Sequence, residues 1–226
     1  MIIEVLCEDK SSVPVLSQLI SELIEDSPGL VDQVKLYPHR GKGKLPEHIK
    51  EPAQAKASSL LDLLPAKIRA YDRVYRRTEV ILVVVLDADD QDAGQLYQSI
   101  ENVIRSESDN KYFVIGIPVE ETEAWLLGDR PALMAAYPNL DLSLLESYKQ
   151  DSVCHTWEVL ARVILGDRAE SLIGVGYPAV GIYKDRWARA VSPFMKIKNN
   201  ESPSYQKFVH HFSRVLSWLK DGSHAQ

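Results

Sequence analysis

Hydrophobic positions along the chain alternate between short apolar runs and helically spaced stripes. Residues 2–7 form a short apolar run of mostly β-forming residues, which reads as a buried strand. Ser11 and Ser12 can cap a helix running to Ile24, where Val15, Leu16, Leu19, Ile20 and Leu23 recur at helical spacing. Ser27, Pro28 and Gly29 break it. A second strand is expected over residues 34–37, then a flexible basic loop, then a helix from about residue 53 to 75 with a bend at Pro65. Residues 79–86 are the clearest strand: a nearly pure aliphatic run suits the centre of a parallel sheet covered on both faces. Residues 94–106 read as a helix and 112–117 as a fourth strand stopped by Pro118. Residues 122–136 read as a helix interrupted near Gly128 and Pro131.

The order is strand–helix four times over, which implies right-handed crossovers and a mainly parallel four-stranded sheet flanked by helices, an α/β fold. Beyond about residue 140 the pattern changes. Helices are expected at 152–165, 183–191 and 204–219, with no strong strand. The division that follows is a catalytic α/β domain over 1–140, a C-terminal helical appendage over 141–221, and a tail at 222–226 whose Gly-Ser-His has the look of an expression scar.

Composition narrows the class. With 226 residues, 45% of them hydrophobic, the chain can bury a substantial core. The longest apolar run, 80–86, is far short of a membrane span, and the apolar start is too short for a secretory leader, so a cytoplasmic protein with no membrane partner is expected. Cys7 and Cys154 make neither a disulfide framework nor a zinc site, and both read as buried thiols. A net charge of −6 argues against a broad nucleic-acid-coating surface, but residues 1–150 carry −9 and residues 151–226 carry +3. An acidic half suits a metal and a basic half can steer a polyanion; ordinary surface charge is the blander explanation.

Acidic residues follow three of the four strands: Glu8 after the first, Asp87-Ala88-Asp89-Asp90 after the third, and Glu120, Glu121 and Glu123 after the fourth. Ligands of parallel sheets bind beyond the carboxyl ends of the strands, so these carboxylates are expected to converge. Converging carboxylates repel unless a cation compensates or some stay protonated. Mg2+ (or Mn2+) suits them, because Mg2+ takes oxygen ligands, keeps several waters and needs few carboxylates. Spacing by two would put Asp87 and Asp89 on one side of an extended segment. An acidic turn capping the helix near Ala93 accounts for Asp90 or Asp92, and less well for Glu8, Asp87 and Asp89.

A glutamate after strand one and Asp-x-Asp after strand three, joined by two βα units, resemble the TOPRIM domain of topoisomerases, primases and overcoming-lysogenization-defect nucleases. The segments are Val5-Leu6-Cys7-Glu8 and Val83-Val84-Val85-Leu86-Asp87-Ala88-Asp89-Asp90. The resemblance assigns the family's glutamate to Glu8, as a proton-transfer group or second-metal ligand, and its metal aspartates to Asp87 and Asp89. Cys7 stands where a glycine often precedes the glutamate. The stretch Ile117-Pro118-Val119-Glu120-Glu121-Thr122-Glu123-Ala124-Trp125-Leu126-Leu127 is similar to small stand-alone bacterial TOPRIM proteins. So are Lys184…Trp187 and Ser202-Pro203-Ser204-Tyr205-Gln206-Lys207-Phe208. That resemblance implies Glu123 as a further metal ligand, a phage-defence setting and a partner protein within a defence system.

Arg40, Lys42 and Lys44 lie in the loop after strand two, and Lys184 and Lys207 in the appendage; all five are candidates for nucleic-acid phosphates, with solvated surface as the alternative. The four tryptophans read as core or interface anchors rather than base-stacking platforms, and His210-His211 as a surface pair rather than ligands. The expected function is a magnesium-dependent nuclease or related phosphodiester-processing enzyme. A metal-dependent nucleotide-sugar transferase, which needs Asp-x-Asp but not Glu8, and a catalytically silent partner subunit remain the alternatives.

Overall fold

The computed structural model describes residues 1–75, 80–152 and 155–223. Glu79, Cys154 and the tail from His224 onward, on which parts of the sequence reading fall, lie outside them. The elements run β1 (Ile2–Cys7), α1 (Ser12–Glu25), β2 (Gln33–Pro38), α2 (Leu60–Val74), β3 (Val80–Val85), α3 (Ala93–Glu107) and β4 (Phe113–Gly116). Six further helices and α10 follow: α4 (Glu123–Gly128), α5 (Arg130–Ala136), α6 (Leu142–Ser147), α7 (Thr156–Leu165), α8 (Ala169–Val175), α9 (Ala179–Val191) and α10 (Pro203–Ser223). The fold is α/β, as expected: one parallel four-stranded sheet in the order β2-β1-β3-β4, helices on both faces, and a C-terminal helical region.

Side-chain alternation along the strands assigns the two faces. Ile3, Val5, Cys7, Ile81, Val83, Val85 and Val114 point into one core with α1, α4, α5 and the helices after residue 140. Leu6, Leu82, Val84, Leu86, Phe113 and Ile115 point into the other, under α2 and α3. Every residue of β3 is buried, which is why its sequence shows no alternation. Glu4 is the exception in β1: it is buried, accepts a hydrogen bond from Tyr75 Oη at 2.6 Å, and pairs with Lys35.

Several helix boundaries differ from the sequence expectation, each for a local reason. Helix α2 begins at Leu60 rather than near 53, because its first N–H groups are taken by the preceding loop: Leu60 donates to Gly41 O and Leu61 to Lys42 O. Ser11 does not cap α1, since its backbone is already helical; Asp9 does, accepting from Ser12 N–H at 3.1 Å and from the Ser11 and Ser12 hydroxyls. The helical stretch after β4 splits at Asp129, whose carboxylate accepts from Ala132 N–H and from Lys196 N–H. Helices α6 and α8 are short pieces that the apolar pattern did not reveal. Among the described residues no helix is long and apolar enough to cross a membrane.

Trp125 and Trp187 are core anchors, whereas Trp218 is half exposed under Arg214. His210 is exposed as expected, whereas His211 is half-buried against Tyr97 and Phe113, and burial lowers its ring to about 4. Cys7 is fully buried, and burial pushes its thiol up to about 12.

Helix α10 lies on β4 because Gly116 has no side chain. A Cβ there would come within 2.6 Å of the Phe208 ring and 3.2 Å of Val85. Gly116→Ala should therefore destabilise the protein by about 1–3 kcal/mol through overpacking. Urea unfolding checks this, and the cost should shrink in a Phe208→Leu background. An equal cost in both backgrounds would show that Phe208 is not the obstacle.

Candidate active site

Parallel pairing brings all four carboxyl ends to one edge. Cys7 sits beside Val85 and Pro38, and Val85 beside Gly116, so the residues that follow each strand meet there. Chain order 2-1-3-4 also makes the loops after β1 and β3 diverge to opposite faces, opening a crevice between neighbouring strands. Glu8 and Asp87 occupy that crevice. The Asp87 N–H donates to Glu8 Oε2 at 3.1 Å. Asp87 is only 7% exposed, and its Oδ1 accepts from the Thr122 hydroxyl at 2.9 Å; Thr122 in turn meets the Ser12 hydroxyl at 3.2 Å.

Asp89 does not share a side with Asp87. Its φ of 51° ends the extended segment, its N–H donates to Glu120 O at 2.8 Å, and its side chain is 48% exposed. The partner it finds is Lys42. The Lys42 ammonium pairs with the Asp89 carboxylate and donates to the carbonyls of Asp87 at 3.1 Å and Ala88 at 3.2 Å. The loop that carries Lys42 is anchored rather than free. Gly41, in the left-handed region at φ 86°, donates to Glu8 O, and the Gly41 and Lys42 carbonyls receive the first N–H groups of α2. Arg40 and Lys44 of the same loop face solvent.

The three glutamates after β4 serve different ends. Glu120 accepts the His155 and Thr156 N–H groups and so caps α7. Glu121 and Glu123 both pair with Lys184 of α9, at 2.9 and 3.0 Å. Lys184, a candidate phosphate contact in the sequence, is thus buried, at 4% exposure, as the counter-charge of this pair. Lys207 of α10 is exposed, with its ammonium 5.3 Å from the Tyr97 ring centre, and lines a cleft with Ile117 and Val119. Asp92, not Asp90, caps α3.

The electrostatics follow from burial. Burial pushes Glu8 up to about 7; the Asp87 N–H opposes this and the Asp89 charge adds to it. Asp87 is held well above the usual carboxylate range, by burial first and by Glu8 next. Burial raises Glu121 to about 7 against the pull of Lys184. Burial alone would depress Lys184, but Glu123, Glu121 and Asp87 keep it charged.

Among the described residues no group of three or more His, Cys, Asp or Glu side chains is placed to hold a metal ion. Glu8 and Asp87 bring two carboxylates of the hard oxygen type that Mg2+ accepts to this strand end, joined by the Asp87 backbone N–H on Glu8 and close enough that the Glu8 charge raises the titration of Asp87. The Lys42 ammonium rests on three oxygens at the same strand end. Asp89 and Glu123 each already face an ammonium. Thr122, which orients Asp87, and Asp9, which holds the start of α1, were missed by sequence reasoning, since Thr122 reads as the first residue of a helix and Ser11 and Ser12 as the caps of α1.

Two outcomes test this electrostatic picture. Glu8 and Glu121 bind protons more readily folded than unfolded, where the ordinary value is 4.5. Folding then takes up protons between about 4.5 and about 7, so stability falls as pH rises through that window. Without divalent cations the melting temperature should climb from about pH 8 to about pH 5, and less steeply in Glu8→Gln; equal slopes would remove Glu8 from the account. Lys184→Met leaves two buried carboxylates without a cation, which should cost about 3–5 kcal/mol near pH 8 and less near pH 5, as the acids take up protons. Urea titrations at both pH values measure this.

No family model and no curated protein matches the chain. A similar solved structure is the C-terminal region of the OLD protein of Xanthomonas campestris pv. campestris, with 12% identity, a TM-score of 0.48, and coverage of 99% of this chain and 98% of that one.

Proposed function

We propose that the chain is a divalent-metal-dependent enzyme that cleaves or rejoins phosphodiester bonds in nucleic acid, most simply a nuclease. The observation that carries this reading is the contact between Glu8 and the buried Asp87 at the crevice of a parallel sheet. Each carboxylate is raised by its surroundings, a pattern that clusters at functional sites. The resemblance of the Glu8 and Asp87-Ala88-Asp89 segments to TOPRIM domains supports it, and Glu8 distinguishes it from a nucleotide-sugar transferase.

Asp87, with Glu8 beside it, would hold Mg2+ (or Mn2+); Asp89 would join if Lys42 releases it, and Glu123 if Lys184 does. When bound, such an ion supplies a Lewis acid for a phosphoryl oxygen and acidifies a water. Glu8, titrating at about 7, is poised to give or take a proton near neutrality. Thr122 fixes the Asp87 carboxylate through its hydroxyl. Arg40 and Lys44, exposed beside the crevice, and Lys207 beyond β4 are the cations placed for a phosphate backbone. A cytoplasmic setting and a partner protein in phage defence rest on the sequence reading alone.

Cleavage of labelled single- and double-stranded DNA and RNA with Mg2+ or Mn2+ tests the reading. Glu8→Gln should bind substrate and lose turnover ~10²–10⁴-fold, the usual contribution of a proton-transfer group. Asp87→Asn with Asp89→Asn should abolish calorimetric metal binding while the fold persists. Wild-type protein that neither binds nor cuts any of these substrates with either metal would falsify the proposal.

A further inference from the structure

The inference concerns Lys42 and rests on the reading of this edge as a divalent-cation site. Three oxygens at the end of β3, the carbonyls of Asp87 and Ala88 and the carboxylate of Asp89, are all occupied by one ammonium. Its side chain is 13% exposed, and its charge also acts on Glu8. The backbone that delivers it is pinned at both ends, by Gly41 N–H on Glu8 O and by the start of α2 on the Gly41 and Lys42 carbonyls. The four-carbon stem is flexible, so the ammonium can leave these oxygens while the loop stays in place. Arg40 and Lys44, two residues to either side, are exposed. An ammonium leaving the crevice would join them.

We propose that Lys42 is a tethered counter-cation: it neutralises the acidic edge when no metal is bound, competes with the divalent ion for the Asp89 carboxylate, and is released toward solvent and substrate phosphate when the ion binds. Two simpler roles make different predictions. A mere loop pin would make Lys42 contribute to stability equally with and without metal. A mere phosphate ligand would leave metal affinity untouched.

The deciding experiment titrates Mn2+ alone into the full chain by calorimetry, for wild type, Lys42→Met and Lys42→Gln, with Asp87→Asn as the control lacking the site. Removing a competing state that is populated at about 90% tightens apparent affinity roughly tenfold. Both Lys42 variants should therefore bind Mn2+ about tenfold or more tightly than wild type. Thermal unfolding is read in parallel. The variants should melt below wild type in EDTA, and the gap should narrow in saturating Mn2+. Wild-type binding with unchanged or weaker affinity in both variants overturns the Lys42 proposal and leaves the metal site standing. No binding by wild type or variants overturns the metal reading itself, and this proposal with it. The Gln variant keeps a polar, uncharged side chain one atom shorter, so a folding defect confined to Met does not obscure the answer.

Discussion

Charge compensation at the carboxyl edge of the sheet is the constraint around which this molecule is arranged. A buried carboxylate in low dielectric is costly unless it is protonated or paired. This edge gathers Glu8, Asp87, Glu121 and Glu123 within a few hydrogen bonds of one another. Two lysines answer them from opposite parts of the chain: Lys42 from the loop after β2 and Lys184 from α9. Two ammoniums do not balance the set, and Glu8 and Glu121, raised first by burial and further by neighbouring carboxylates, titrate at about 7. A site left slightly short of positive charge is what a divalent cation or a proton can fill.

The topology explains why the compensation has to be long-range. Parallel strands deliver their carboxyl ends to one edge, so the loops after β1, β3 and β4 bring their acids there, and the counter-charges come from the loop after β2 through Lys42 and from α9 through Lys184. The helices after residue 140 share one core with the α1 face of the sheet, and through Lys184 they also supply a charge to its edge. Asn200 shows the same coupling by neutral means: its side chain donates to Trp125 O at 2.8 Å, tying the approach to α10 to the helix that carries Glu123. The C-terminal region therefore contributes to the site as well as covering the sheet.

The sheet was legible because its strands are extreme. An aliphatic run such as Val80–Val85 has few other uses, and the strand–helix alternation then dictates parallel pairing and the convergence of Glu8 with Asp87. What stayed hidden depends on direction rather than identity. Asp87 and Asp89 are two apart in sequence, yet a positive φ at Asp89 sends one inward and the other out to Lys42. Lys42, Arg40 and Lys44 look equivalent as a basic loop, but only Lys42 turns into the crevice, because Gly41 bends the chain against Glu8 O. Lys184 sits among exposed Arg186 and Arg189 on one helix, and the partners that make it a buried counter-charge lie some sixty residues away.

The two lysines are not interchangeable, and the difference bears on how the edge can change state. Lys184 is enclosed, charged and held by two carboxylates, so displacing it exposes both acids at once. Lys42 holds one half-exposed carboxylate and two backbone carbonyls, which need no counter-charge of their own. Exchanging Lys42 for another cation therefore breaks fewer dependencies than exchanging Lys184. The more accessible positive charge lies on the Asp89 side of the crevice and the enclosed one on the Glu123 side, with Asp87 between them, buried and oriented by Thr122. The edge is therefore asymmetric: one side rests on a pair with a half-exposed carboxylate and the other on a buried pair.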